Sequence, residues 1–409
     1  MKQLSSASAL AAAHFCFIFF LTVAEKSRAQ IATTDPSEVS ALNSIFQQWG
    51  IQAPPNSWNI SSEPCTGTAL SQDDSNNPAI ICDCSLNSAT TCHITRLKVN
   101  ELNIRGVMAE ELLAFKFLSH LELHQNYFTG TLPAWIGILS KLQHLAIHAN
   151  AFFGPIPKEL GNLKELTYLS FSFNNFHGTL PPELGKLVKL EQLYIDSCGV
   201  GGEIPSTFAN LLNMQFMVAS DNPFTGKIPD FIGNWTNLKL LRLEGNSFEG
   251  PIPSSFSKLT SLNSLNLTSL TNLILRNALI TGSIPSDIGE LQSLQNLDLS
   301  FNNLTGQIPS ALFNIGSLTH LFLGNNSLSG TIPGQKSENL MNIDLSYNFL
   351  SGSFPSWVDP FLQLNLVANN FTFDKSNISL FPGLHCLQRS FPCSRNPPRV
   401  SFFCCIDLR

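Results

Sequence analysis

Glycine returns every 24 residues along most of this chain. Gly106, Gly130, Gly154, Gly178, Gly202, Gly226 and Gly250 are evenly spaced, and Gly282, Gly306, Gly330 and Gly352 continue the series less regularly. Most are followed, two and three positions on, by Ile-Pro or Leu-Pro, as at Ile156-Pro157, Leu180-Pro181 and Ile204-Pro205. Four residues before the glycine stands Asn, at Asn126, Asn150, Asn174, Asn222, Asn246, Asn302, Asn326 and Asn348. Before each Asn comes an alternating apolar pair such as Leu121/Leu123, Leu241/Leu243 or Leu297/Leu299. A fixed period of this length is the mark of a solenoid, in which each unit buries its apolar side only against the next.

Each period reads as one coil of a right-handed α/β superhelix with a parallel β-sheet on its concave face. The apolar pair points inward from a short strand and its neighbours point out. The Asn turns inward where the strand ends, so that its amide serves buried backbone groups. A second inward row follows two positions later: Phe128, Phe152, Phe176, Val200, Phe224, Phe248, Ile280, Leu304, Leu328, Leu350 and Phe371. An aromatic ligand box is the functional alternative for that row, but a solenoid needs it simply to fold. Glycine permits the turn and proline fixes the extended segment after it.

The period breaks between Gly250 and Gly282, where the strand signal occurs twice, as Leu262/Leu265/Leu267 and as Leu270/Leu273/Leu275. One copy must be an irregular loop, and Ala278 replaces the inward Asn. Weak local packing, with fast hydrogen exchange over 262–278, is the expectation.

Only 13% of the 409 residues are charged, at a formal net charge of −6 and with no basic stripe, which argues against a nucleic-acid partner. Residues 1–29 read as a secretory signal: Lys2, an apolar run densest at His14–Val23, and small residues before a cut after Ala29. No other stretch is apolar enough to span a membrane. Ten cysteines fit an oxidising route. Cys65, Cys82, Cys84 and Cys92 lie just before the first coil, and Cys386 and Cys393 just after the last. Solenoid ends need covering, so the expected pairs are Cys65–Cys82, Cys84–Cys92 and Cys386–Cys393. They would pin an N-terminal cap over 30–92 and a C-terminal cap over 373–393. Between them lies a solenoid at 93–372 of about eleven to twelve coils, with an irregular unit at 251–282, and a divergent tail follows at 394–409. Zinc at Cys82-x-Cys84 and Cys92-His93 is the rival reading, though the spacing is not a standard one for zinc. Within the front cap, 36–58 reads as an amphipathic helix (Val39, Leu42, Ile45, Phe46, Trp49) followed by Trp58, a lid on the first coil. Cys198 stands at an Asn position, as a buried substitute or a reactive thiol. Sequons at Asn59, Asn234, Asn266, Asn303, Asn325, Asn370 and Asn377 agree with passage through the secretory pathway.

The Asn-x-(Leu/Phe)-x-Gly-x-(Ile/Leu)-Pro run resembles the plant class of leucine-rich repeat. The segments "CHITRLKV" at 92–99, "LDLSFNNLTGQIP" at 297–309, "LFLGNNSLSGTIP" at 321–333, "LNLVANNFT" at 364–372 and "GLHCLQRSFPC" at 383–393 are similar to plant leucine-rich-repeat receptor-like serine/threonine kinases that carry a malectin-like domain. The resemblance covers residues 1 to about 393. It implies an extracellular (apoplastic) sensing region, at the plasma membrane in the full-length form, with a peptide, protein or cell-wall-derived ligand and a co-receptor as partners. After Cys393 the sequence departs from that family, and no kinase signature is present, so these residues read as a binder and not an enzyme, with no cofactor and no metal. A secreted inhibitor of cell-wall hydrolases, similar to polygalacturonase-inhibiting proteins, or a soluble decoy is the alternative.

Solenoids bind along their concave sheet. The period turns His120, Glu122, His124, His144 and His148 outward in early coils and Arg276, Asp298, Phe301, His320, Phe322, Asp344 and Tyr347 in late ones. The middle coils supply the candidate ligand patch: Tyr168, Phe173, Gln192, Tyr194, Asp196, Phe216, Arg242 and Glu244. His120 falls in one row with His144, and His124 in another with His148. Each pair reads as an acid sensor, a weak metal site or isolated exposed side chains.

Overall fold

The computed structural model describes residues 32–54, 63–71, 75–86, 90–259, 270–358 and 362–372. The signal segment, Trp58, the sequons at Asn59, Asn266 and Asn377, the first copy of the duplicated strand signal, and everything from 373 on, with Cys386 and Cys393, lie outside the described residues.

Short strands, one per coil, stack in parallel in a 14-stranded sheet that runs along the solenoid; the cap adds Thr33–Thr34 in parallel and Ala79–Asp83 antiparallel to Thr91–Lys98. Its members are in register, for example His120↔His144↔Tyr168 and Leu121↔Leu145↔Leu169. The inward leucines and the following spine are fully or almost fully buried. The spine rings stack coil on coil, with centroids 6.2 Å apart for Phe128–Phe152 and 6.4 Å for Phe224–Phe248. Two shorter parallel sheets, of four and five strands, line a second side. Single-turn 3-10 helices such as Lys158–Asn162 and Asp230–Asn234 close most coils, most entered through prolines in extended conformation (Pro157, φ −70°, ψ 131°).

The inward Asn works as its spacing requires. Asn174 Nδ2 donates to Ile147 O, Phe171 O and Ser172 O at 3.0–3.1 Å, while its Oδ1 accepts the Phe152 N–H. Each Asn therefore ties its own coil to the one before it. The repeat glycine is also a conformational necessity: Gly154 has φ +87°, and a Cβ there would lie 2.8 Å from Thr131 Cγ2. A second glycine series, Gly137, Gly161, Gly185, Gly233 and Gly289, has another cause. A Cβ on Gly161 would come within 2.3 Å of Glu183 O in the next coil, so the 3-10 turns pack too closely for a side chain.

The front cap is the helix Pro36–Trp49, started by the Asp35 carboxylate, which accepts the Ser37 N–H at 2.8 Å, and stopped by Gly50 at φ 65°. It is shorter than the expected 36–58. Trp49 meets Phe128 edge-on at 4.9 Å, so the cap continues the spine. Disulfides join Cys65 to Cys82 and Cys84 to Cys92.

The expected weak packing over 262–278 is corrected for its described half. Leu270, Leu273, Leu275 and Ala278 are completely buried, and Asn272–Ile274 pairs in register with Leu240–Arg242 and Asn296–Asp298. The second copy of the strand signal keeps the sheet period, so the surplus residues precede it. What the coil lacks is the Asn at 278; Asn302 bridges the gap by accepting both Ala278 N–H and Ile280 N–H.

Candidate functional site

Three rows of side chains project from the long sheet, from the first and third residue of each strand and from the second residue beyond it. The first row runs Arg96, His120, His144, Tyr168, Gln192, Phe216. The second runs Lys98, Glu122, Ala146, Ser170, Tyr194, Val218, Arg242. The third, His124, His148, Ser172, Asp196, Ser220, Glu244, is carried by backbone hydrogen bonds that extend the ladder past the strands.

These rows gather most of the candidate patch. The rings of Tyr168 and Tyr194 lie 5.5 Å apart, and the Tyr194 hydroxyl donates to Gln192 Oε1 at 3.2 Å. Asp196 Oδ1 accepts from Ser172 Oγ at 2.7 Å. The Arg242 guanidinium is held by Glu244 Oε1, its Nε at 3.0 Å, and this bond raises the Arg242 pKa further. The Lys239 ammonium sits 5.7 Å from the Phe216 ring. Phe173 stands at the margin, 56% exposed and in the left-handed region at φ 51°. Burial raises the pKa of both tyrosines, which keeps them neutral donors. Two neighbours in the third row, Ser220 Oγ and Glu244 Oε2, are sealed from water without a hydrogen-bond partner.

Late coils form a separate group: Arg276 covers the Phe301 ring at 4.5 Å, and Asp298 and Asp344 accept the N–H groups of Ser300 and Ser346. Glu122, expected to face outward to solvent, is instead 7% exposed, clamped by Arg96 at 2.7 Å.

The histidines are neither isolated nor exposed. His120–His144 stack at 5.5 Å, His144–Tyr168 at 4.0 Å and His124–His148 at 4.4 Å. A continuous tract His120–His144–Tyr168–Tyr194 thus crosses four coils. Sequence spacing paired the histidines, but it did not show the extension into Tyr168. Parallel rings aim their lone pairs in separate planes, a poor arrangement for sharing one metal ion. Burial, reinforced by neighbouring positive charge, holds His144 at about 4, and burial with His124 holds His148 at about 4.

Cys198 is buried, donates its thiol to Ile195 O at 2.9 Å, and is pushed up to about 12 by burial. It is a structural substitute for Asn. Iodoacetamide at pH 8 is expected to leave Cys198 unmodified in the native protein and to alkylate it fully in denaturant, as read by mass spectrometry. Native labelling at a comparable rate would refute this. Asn234, Asn303, Asn325 and Asn370 all have exposed side chains.

The Leucine Rich Repeat family model matches residues 165–187, 189–211, 237–259, 293–315, 317–335 and 339–361. A probable LRR receptor-like serine/threonine-protein kinase of Arabidopsis thaliana is 49% identical over 109 residues, covering 25% of this chain and 10% of that protein. The chain thus spans about a tenth of the length of the curated relatives it matches. Among solved structures, the Arabidopsis receptor kinase HAESA, in complex with the peptide hormone IDA and the co-receptor SERK1, is 27% identical with a TM-score of 0.66, covering 82% of this chain and 54% of that one. The plant peptide hormone receptor RGFR1, in complex with RGF2, is 30% identical with a TM-score of 0.60, covering 69% and 48%. The chain is a leucine-rich-repeat solenoid, homologous through its repeats to plant receptor-like kinases.

Proposed function

We propose that this chain is the ligand-recognition ectodomain of a plant leucine-rich-repeat receptor-like kinase of the malectin-containing type. Its long-sheet face, from Tyr168 to Glu244, captures an extracellular peptide or protein ligand, and a co-receptor completes the complex. The observation that carries this reading is the joining of Tyr168, Gln192 and Tyr194 into one group beside the Arg242–Glu244 pair. Rings and a fixed charge pair on one regular sheet are the ingredients of a recognition surface. HAESA and RGFR1, similar in fold and sequence, are solved with peptide hormones. A signal at 1–29, caps at 30–92 and 373–393 around coils at 93–372, and glycans on the sequons fit delivery to the apoplast.

A panel of synthetic secreted plant peptides, presented to the purified chain by biolayer interferometry, tests it. At least one should bind, and Tyr194→Ala and Arg242→Ala should each weaken it about tenfold or more. A ligand indifferent to both substitutions places the site elsewhere. No binding, together with tight inhibition of a polygalacturonase, replaces the receptor reading with an inhibitor.

A further inference from the structure

We propose that His120, His144, His124 and His148, together with Arg96, form a proton-coupled site for a carboxylate-bearing ligand at the N-terminal end of the long-sheet face, filled in acid and emptied near neutrality. The proposal rests on the reading of this face as the ligand-capturing one.

The stacking decides what the rings offer. Their faces cover one another, at 5.5 Å for His120–His144, 4.0 Å for His144–Tyr168 and 4.4 Å for His124–His148, so a ligand meets edges, where the nitrogens are. Hydrogen bonds fix two of the neutral tautomers. Ser119 Oγ donates to Thr95 O, so it accepts from His120 Nδ1 at 2.9 Å and leaves His120 Nε2 as a bare lone pair. Asn100 Nδ2 donates to His124 Nε2 at 3.0 Å, which puts the His124 proton on Nδ1, aimed at Gln125 Oε1. His148 Nδ1 pairs with Ser170 Oγ at 3.1 Å. Neutral, His120 presents a bare acceptor at Nε2; protonated, it gains a donor there, and each protonated ring adds positive charge.

The charged groups that face the array are Arg96, Lys98, Glu122 and Asp196. Glu122 Oε1 is already engaged by Arg96 at 2.7 and 2.9 Å, and Asp196 Oδ1 takes the Ser172 hydroxyl. The two carboxylates that act on the rings, Glu122 and Asp196, are thus committed elsewhere, and the rings resist a proton: His144 and His148 lie at about 4 and His120 below its usual value. A ligand carboxylate would supply the missing counter-ion. Lifting one imidazole from about 4 to about 6 makes binding about tenfold tighter at pH 5 than at pH 7.5.

The probes are N-acetyl-triglutamate amide and its triglutamine counterpart, followed by NMR of the imidazole C2–H groups in the full chain at pH 5 and 7.5. Triglutamate should bind about tenfold tighter at pH 5 and raise the titration midpoints of His144 and His148, and triglutamine should shift nothing. His144→Asn with His148→Asn should remove the acid gain at an unchanged melting temperature; if that variant melts early, His120→Asn serves instead. No triglutamate binding at millimolar concentration, equal affinity at both pH values, tighter binding at pH 7.5 or immobile midpoints would each overturn the proposal. If Tyr194→Ala still weakens peptide capture, such a failure leaves the receptor reading standing; failure of both removes it.

Discussion

Replacing Asn302 by Ala is expected to destabilise the solenoid by about 3–5 kcal/mol, out of proportion to the few atoms removed. The Asn302 amide makes five bonds to backbone. Its Nδ2 donates to Leu275 O, Leu299 O and Ser300 O at 2.8–3.1 Å, and its Oδ1 accepts Ala278 N–H and Ile280 N–H. All lie in dry surroundings, with Asn302 itself 7% exposed, so water does not replace the lost partners. The coil before it already lacks its own Asn, because position 278 is Ala, and no neighbouring amide can take over. Asn150 is the internal comparison. It makes four such bonds, to Leu123 O, Ile147 O and His148 O and from Phe128 N–H, one accepted N–H fewer than Asn302, and is only half-buried. Asn150→Ala should therefore cost less, about 1–2 kcal/mol, since solvent reaches the freed groups. Urea unfolding gives both numbers, and hydrogen exchange should show lost protection over 275–304 in the Asn302 variant alone. Equal costs at the two positions would mean that burial does not set the worth of the ladder.

Much of this was legible in the sequence because a solenoid repeats its physics. One 24-residue unit fixes the inward pair, the Asn, the spine and the glycine, and each recurs often enough to be separated from chance. The outward rows followed from the same period, which is why Tyr168, Gln192, Tyr194, Asp196, Arg242 and Glu244 all appear on the long sheet. What stayed hidden was whatever depends on neighbours across coils. The glycines at 137, 161, 185 and 233 also recur by 24, but their cause, a carbonyl of the next coil within 2.3 Å of any Cβ at Gly161, is a distance between coils that a single period does not state. Glu122 has an outward position and ends up buried because Arg96, one coil earlier, reaches over it. The cap helix misled for the same reason: the apolar period selected Val39 for the core, whereas the buried residue is Glu38, beside it, matched by a partner 55 residues away.

That partner makes Glu38 the second large effect. Glu38 Oε1 lies 2.9 Å from His93 Nδ1, and its Oε2 accepts the Ile94 N–H at 2.6 Å, with Glu38 only 2% exposed. The His93 ring also packs on Phe117 at 4.3 Å, so the pair clasps the cap helix to the first strand of the repeats. Glu38→Ala should cost about 3–5 kcal/mol, because it strands a buried His and a buried N–H together. Glu38→Gln, which keeps an acceptor for Ile94, should cost about 1–2 kcal/mol. His93→Ala has a pH signature. Burial raises the Glu38 pKa above its ordinary 4.5, so what this carboxyl contributes is full below that value and lost as pH rises through the folded value. His93, with the Ile94 N–H, opposes that rise, so without it the ionised form of Glu38 is disfavoured further. The deficit of His93→Ala relative to the parent should therefore be larger at pH 7 than at pH 4, and taking the difference cancels the opposing titration of His144 and His148, which both proteins share. Chemical denaturation at the two pH values decides the matter: a deficit that grows on acidification would mean that Glu38 stays ionised without its partner, and that the clasp is held by the Ile94 bond and packing instead.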